Sequence, residues 1–175
     1  MNETLLRLAL AVGIEARYWD GLGVQRDLHE KTARALLEAN GFEASGDPAV
    51  ALQRLAAEPF ARALPPAQVV TADAMVELLI VVPLARQHET LEWELSEEGG
   101  ARCAGSIVPA HLEKAAEGES DGEPCACYRL SLAQTLPAGY HRFRLPALAA
   151  ETLLIASPRR CFIPPPLAAG ARCWG

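Results

Sequence analysis

Three places in this sequence hold residue types from which chemistry is made. His141 stands beside Arg142 in YHRFR, Cys125 and Cys127 form a Cys-x-Cys pair, and Tyr18 and Trp19 are adjacent aromatics near two glycines. A histidine can act as a general base, two thiolates can help to hold a metal, and an exposed ring can stack on a sugar. Which of these is realised depends on the element that carries each residue.

The stretch LPAGYHRFRL, residues 136–145, begins with a turn and then alternates polar and apolar residues. Alternation puts His141 on the side of Phe143 and Leu145, the core side of a strand, so its ring reads as a half-buried, hydrogen-bonded scaffold residue. Tyr140 follows a Leu-x-x-Gly turn, much like the tyrosine corner of sandwich folds, which would make it a core element whose hydroxyl bonds back to the backbone. On a strand, Cys125 and Cys127 point the same way about 6.6 Å apart, too strained for a disulfide. A zinc site would need two further ligands, for which only Cys103 and His111 are placed, and Cys-x-Cys lacks the Cys-x-x-Cys knuckle spacing. The pair is therefore expected in the core as small hydrophobic residues, with no metal. Nucleophile-elbow, dinucleotide, phosphate-loop and zinc-protease motifs are missing from the sequence, and the carboxylates read as solvated. No catalytic residue is assigned and no cofactor is expected.

Among the tryptophans, Trp93 lies on the apolar side of LEWEL and is expected in the core. Trp19 and Tyr18 sit in a turn and are the candidates for substrate binding. One platform ring makes only a weak sugar site, so an interdomain contact is the favoured role for Trp19 and a sugar-stacking platform the alternative. Trp174 follows a proline-rich stretch, as if the chain were cut before the domain that would bury it.

The elements follow from periodicity. Leu5, Leu8, Ala9 and Val12 share one helical face, closed by Gly13. In HEKTARALLEANGF, Ala33, Leu36 and Leu37 share a face, Glu30 pairs with Arg34 at i, i+4, and Asn40-Gly41 stops the helix. Asp47-Pro48 supplies an N-cap and an N1 proline for a third helix, which Pro59 ends. From Leu64 onward the period becomes two: AQVVTAD, ELLIVVP, a hairpin around 97–100, CACYRLSL, YHRFRL and ETLLIASP read as strands, with residues 118–124 as a polar, mobile loop. Short strands between Pro/Gly turns favour a β-sandwich. The fold expected is α+β: a small helical subdomain over 1–62, a sandwich over 63–160, and a stiff Pro-rich connector over 161–175.

Half of the 175 residues are apolar, enough for a substantial core. The formal net charge of −6, with lysine only at Lys31 and Lys114, disfavours nucleic acid as a partner. Glu3 and Arg7 interrupt the first apolar run, and LLIVVPLA (78–85) is too short to span a bilayer. A cytoplasmic protein with five reduced cysteines (103, 125, 127, 161 and 173) and no membrane partner is expected.

The segment GIEARYWDGLGVQRDLHEKTARALLEANGF resembles the N-terminal region of bacterial 4-alpha-glucanotransferases, the amylomaltases. The resemblance rests on Gly13, Ile14, Tyr18, Asp20, Gly23, Thr32, Ala35, Leu36 and Leu37, then on LPAGYHRFRL, LLIASPRRCFIPPP and RCWG in that order; it covers about a third of the chain, and residues 65–128 carry no specific match. It implies that the sandwich is immunoglobulin-like and that a (β/α)8 catalytic barrel, holding the family's nucleophile and acid/base carboxylates, begins near Trp174. The full protein would then transfer 1,4-alpha-glucan segments by a retaining mechanism. This chain would be an inactive structural or interdomain module whose partner is its own barrel. The alternatives are an α-glucan-binding sandwich and a stand-alone protein-interaction domain.

Overall fold

The computed structural model describes residues 1–43, 45–168 and 170, which divide into two compact units, 1–61 and 62 onward. The first unit holds helices α1 (Glu3–Ala11), α2 (Glu30–Ala39) and α3 (Pro48–Ala57), with a hairpin of β1 (Arg17–Trp19) and β2 (Gln25–Asp27) between α1 and α2. The Asn2 side chain caps α1 by accepting from Thr4 N at 2.8 Å, and Asp47 caps α3 by accepting from Ala49 N at 2.9 Å, with Pro48 in the first turn. Leu5, Leu8 and Leu37 are buried together, flanked by Phe42, Leu52 and Leu55, while Ala9, Leu28 and Ala33 form a second small cluster. Leu36 departs from expectation: it is 40% exposed, because the buried face of α2 is centred between Ala33 and Leu37 and Leu36 lies on its flank.

The second unit is a β-sandwich. Its strands are β3 (Ala67–Thr71), β4 (Met75–Pro83), β5 (Leu91–Ser96), β6 (Arg102–Ile107), β7 (Glu113–Ser120), β8 (Glu123–Thr135), β9 (Gly139–Leu145) and β10 (Ala150–Ser157). One sheet has the order β3-β10-β9-β5-β6, the other β4-β8-β7; only the β3–β10 pair is parallel. Alternate residues of both sheets meet in one core: Val76, Leu78, Ile80 and Val82 from β4, Ala126, Tyr128, Leu130 and Leu132 from β8, and Leu91, Trp93, Leu95, Phe143, Leu145 and Leu154 from the larger sheet. The free edge of β4 is met by the Gln68 side chain of β3, which accepts from Leu79 N at 3.0 Å and donates to Leu79 O at 3.3 Å. An amide thereby stands in for a neighbouring strand and joins the two sheets at their margin.

Three sequence readings change. Residues 118–124 are the end of a β7–β8 hairpin, not a loop: Asp121 (φ 51°) and Gly122 (φ 84°) form the two-residue left-handed turn that matches strand twist. The acidic run around Asp121-Gly122 obscured this strong hairpin signal. Tyr140 is 60% exposed and is no core element, because its neighbour His141 takes the inward side and adjacent strand residues face opposite ways. Within the proline-rich stretch, Pro165–Ala168 form one helical turn (α4), and the readings for Cys173 and Trp174 fall outside the described residues.

Trp93 is the largest ring in the sandwich core. It stacks on Phe143 with centroids 6.0 Å apart, and it pairs across the strands with Gly105. A Cβ on Gly105 would lie 2.6 Å from indole Cζ2, so the ring occupies the volume a side chain would take. In chemical denaturation, Trp93→Ala is expected to cost about 3–5 kcal/mol, and Gly105→Ala about 1–3 kcal/mol through displacement of the ring. Tyr140→Phe should stay within about 0.5 kcal/mol; a larger loss would mean that its hydroxyl is bonded after all.

Candidate functional site

His141 is buried, 1% exposed, and both ring nitrogens are engaged with backbone. Nδ1 accepts from Glu98 N at 3.3 Å and Nε2 lies 2.9 Å from Pro137 O. Because Nδ1 accepts, the proton is assigned to Nε2, which donates to the Pro137 carbonyl. The Glu98 carboxylate in turn accepts from Tyr140 N at 3.0 Å. His141 thus ties the β5–β6 turn to the start of β9, and neither nitrogen is available to a substrate. The scaffold reading holds, with deeper burial than expected.

Cys125 and Cys127 do share a strand face, but it is the one turned away from the sandwich core, since Ala126 and Tyr128 take the inward positions. Cys125 is nevertheless buried, its thiol 3.3 Å from Glu123 O, and Cys127 is half-buried. Burial raises the thiol pKa of Cys127, and burial reinforced by Glu97 raises that of Cys103. Cys161 is exposed, and all four described cysteines are free. Among the described residues, no three His, Cys, Asp or Glu side chains converge on a common point.

The β1–β2 hairpin is where Tyr18 and Trp19 are presented. Its register pairs Arg17 with Asp27, Tyr18 with Arg26 and Trp19 with Gln25. Arg17, Trp19, Gln25 and Asp27 therefore lie on one face and Tyr18 and Arg26 on the other. Two-stranded ribbons are marginal alone, and here Asp20 supplies the missing constraint. Its Oδ1 accepts from Leu22 N and Val24 N, each at 2.9 Å, and its Oδ2 accepts from Arg26 Nε at 2.9 Å. The Val24 amide first, and then the Arg26 guanidinium, hold the Asp20 carboxyl below its ordinary pKa. At the open end, Arg17 Nε donates to Asp27 Oδ1 at 2.9 Å, and Leu28 N donates to Ala16 O at 2.8 Å. The clasp leaves Trp19 70% and Tyr18 51% exposed. Pattern reading found the two rings but not their polar neighbours. Asp20-Gly21-Leu22-Gly23 was the available signal, since an aspartate before glycines folds back onto its own backbone.

Two concave regions lie elsewhere. One, of about 590 Å³, is bordered in the helical unit by Leu8, Leu37, Phe42, Asp47, Val50 and Arg54. The other, of about 610 Å³, lies on the larger sheet beside Glu94, Arg102, Arg142, Arg144 and Glu151, where Glu151 receives Arg142 and, at 3.0 Å, Arg144.

The sandwich matches the family model of the MalQ N-terminal beta sandwich domain over residues 63–158. Among solved structures, amylomaltase from Corynebacterium glutamicum is similar in fold, with a TM-score of 0.66 and 22% identity over 90% of this chain. The chain spans 23% of the length of that amylomaltase. The comparison with curated proteins returns no match.

Two outcomes follow from the geometry. The folded-state pKa of Asp20 is depressed, so its stabilisation of the hairpin is fully present above the unfolded-state value and is lost as pH falls through the folded one. The Trp19 indole NMR signal should therefore move in that acidic window, and Asp20→Asn should abolish the step. For the thiols, timed alkylation with peptide mapping should modify Cys161 first, Cys103 and Cys127 slowly, and Cys125 only on unfolding.

Proposed function

We propose a function from one premise: this chain belongs to the MalQ N-terminal beta sandwich domain family. It serves as a non-catalytic structural module of a 4-alpha-glucanotransferase, with the catalytic barrel of the same protein as its partner. The full protein would move 1,4-alpha-glucan segments between maltooligosaccharides. One carboxylate would form the glycosyl-enzyme, another would protonate the departing sugar, and an acceptor hydroxyl would then take water's place.

The observation that carries the non-catalytic reading concerns buried polarity. Retaining transfer needs two carboxyl groups roughly 5–5.5 Å apart in a site that excludes water. The buried polar side chains among the described residues are His141 and Thr152 alone, and His141 is committed to backbone. The reading includes an immunoglobulin-like sandwich, supported by two facing, largely antiparallel sheets. It also includes a cytoplasmic location, supported by the free thiols. No helix among the described residues is long and apolar enough to cross a membrane.

The test is glucose release from maltotriose. The purified 175-residue chain should release none, whereas a protein carrying this chain together with the barrel should release glucose. Removal of residues 1–175 from the longer protein should lower its thermal midpoint. Turnover by the short chain, or an unchanged midpoint after the deletion, would refute the structural assignment.

A further inference from the structure

We propose that the Trp19 face of the β1–β2 hairpin is a contact site for an α-glucan chain, located in the helical unit and not on the sandwich. The class of sugar rests on the functional reading above; the site itself rests on the geometry of the hairpin.

The four side chains of this face are one flat ring and three planar polar groups. Trp19 is 70% exposed, Gln25 is its cross-strand partner, and Arg17 and Asp27 are the adjacent pair on the same side. A pyranose has a C–H face that packs on an aromatic ring and vicinal hydroxyls at its rim. Amide, carboxylate and guanidinium groups beside the ring can each engage two such hydroxyls. The charge of the face also selects. Arg17 and Asp27 neutralise one another at 2.9 Å, so the face favours an uncharged ligand over a phosphate or an acidic peptide. Aliphatic side chains are absent from it: Val24 lies on the opposite face and Leu22 at the tip. A protein partner would call for an apolar centre with a polar rim, whereas here a single ring is surrounded by hydrogen-bonding groups.

Rigidity completes the argument. The three bonds to Asp20 and the Arg17–Asp27 pair hold both strands in place before any ligand arrives. Binding then costs little ordering of the ribbon, and one ring with three polar neighbours gives affinity in the millimolar range.

The experiment is an NMR titration of the 175-residue chain with maltoheptaose, observing the Trp19 indole N–H and, in every variant, the backbone amides of residues 17–27, with β-linked cellohexaose as the comparison. The Trp19 signal should shift saturably with maltoheptaose and respond less to cellohexaose. Trp19→Ala should weaken binding roughly tenfold or more, with an unchanged melting temperature since the ring is exposed, and Trp19→Tyr should retain part of the affinity. Tyr18→Ala, on the opposite face, should bind as the parent does. The absence of a saturable shift, binding that survives Trp19→Ala, or equal loss with Tyr18→Ala would overturn the site. Equal response to cellohexaose would overturn the α-glucan assignment. If maltoheptaose fails here while the barrel-carrying protein releases glucose from maltotriose, this proposal falls and the functional reading stands.

Discussion

The Trp93 indole lies where a side chain on Gly105 would be, and Phe143 closes over it from β9. Ring, glycine and second ring together span β6, β5 and β9, so one side of the larger sheet, from its edge strand to its centre, is tied by one packing event. Once those strands face inward with Leu91, Trp93, Leu95, Phe143 and Leu145, alternation leaves no choice for their neighbours. Glu92, Glu94, Arg142 and Arg144 must face outward, where Glu151 gathers the two arginines. The smaller sheet then supplies the opposing layer through β4 and β8.

The buried histidine of this interior is used to hold turns. His141 spends both nitrogens on the backbone of Glu98 and Pro137, and Glu98 returns a carboxylate to the Tyr140 amide. Gln68 does comparable work at the margin, meeting both backbone groups of Leu79. A buried polar side chain is costly unless its partners are supplied, and for His141 and Gln68 the partners are main-chain groups. These residue types resemble chemistry in a sequence and act as fasteners in the fold.

The hairpin in the helical unit inverts that economy. Its polar groups lie outside, and a ribbon too short to be stable by strand pairing alone is braced by the aspartate clasp at its turn and by the Arg17–Asp27 pair at its open end. The consequence is an aromatic ring held in a defined place with solvent over it. On the described strands of the sandwich the exposed aromatic, Tyr140, has the apolar Ile155 as its cross-strand partner.

Local rules written into the sequence determined a good deal. Helix faces, the Asn40-Gly41 stop, the Asp47-Pro48 start and the two-residue period from Leu64 are short-range properties, and the helices and most strands follow from them. The resemblance carried by Gly13 to Leu37 and by LPAGYHRFRL led to the family because its landmarks are linear. Tertiary structure decided what depends on partners distant in the chain. Sheet order and the parallel β3–β10 pair join residues more than eighty positions apart. The inward or outward choice for Tyr140, Cys125 and Cys127 depended on which strand face met the other sheet, and periodicity cannot say which face that is. Strand β7 escaped notice because it is an edge strand with few apolar residues, so hydrophobic patterning had little to register. The placing of Gln25 across from Trp19 likewise came from the turn that Asp20 closes, because only the register of a folded hairpin brings two such residues face to face.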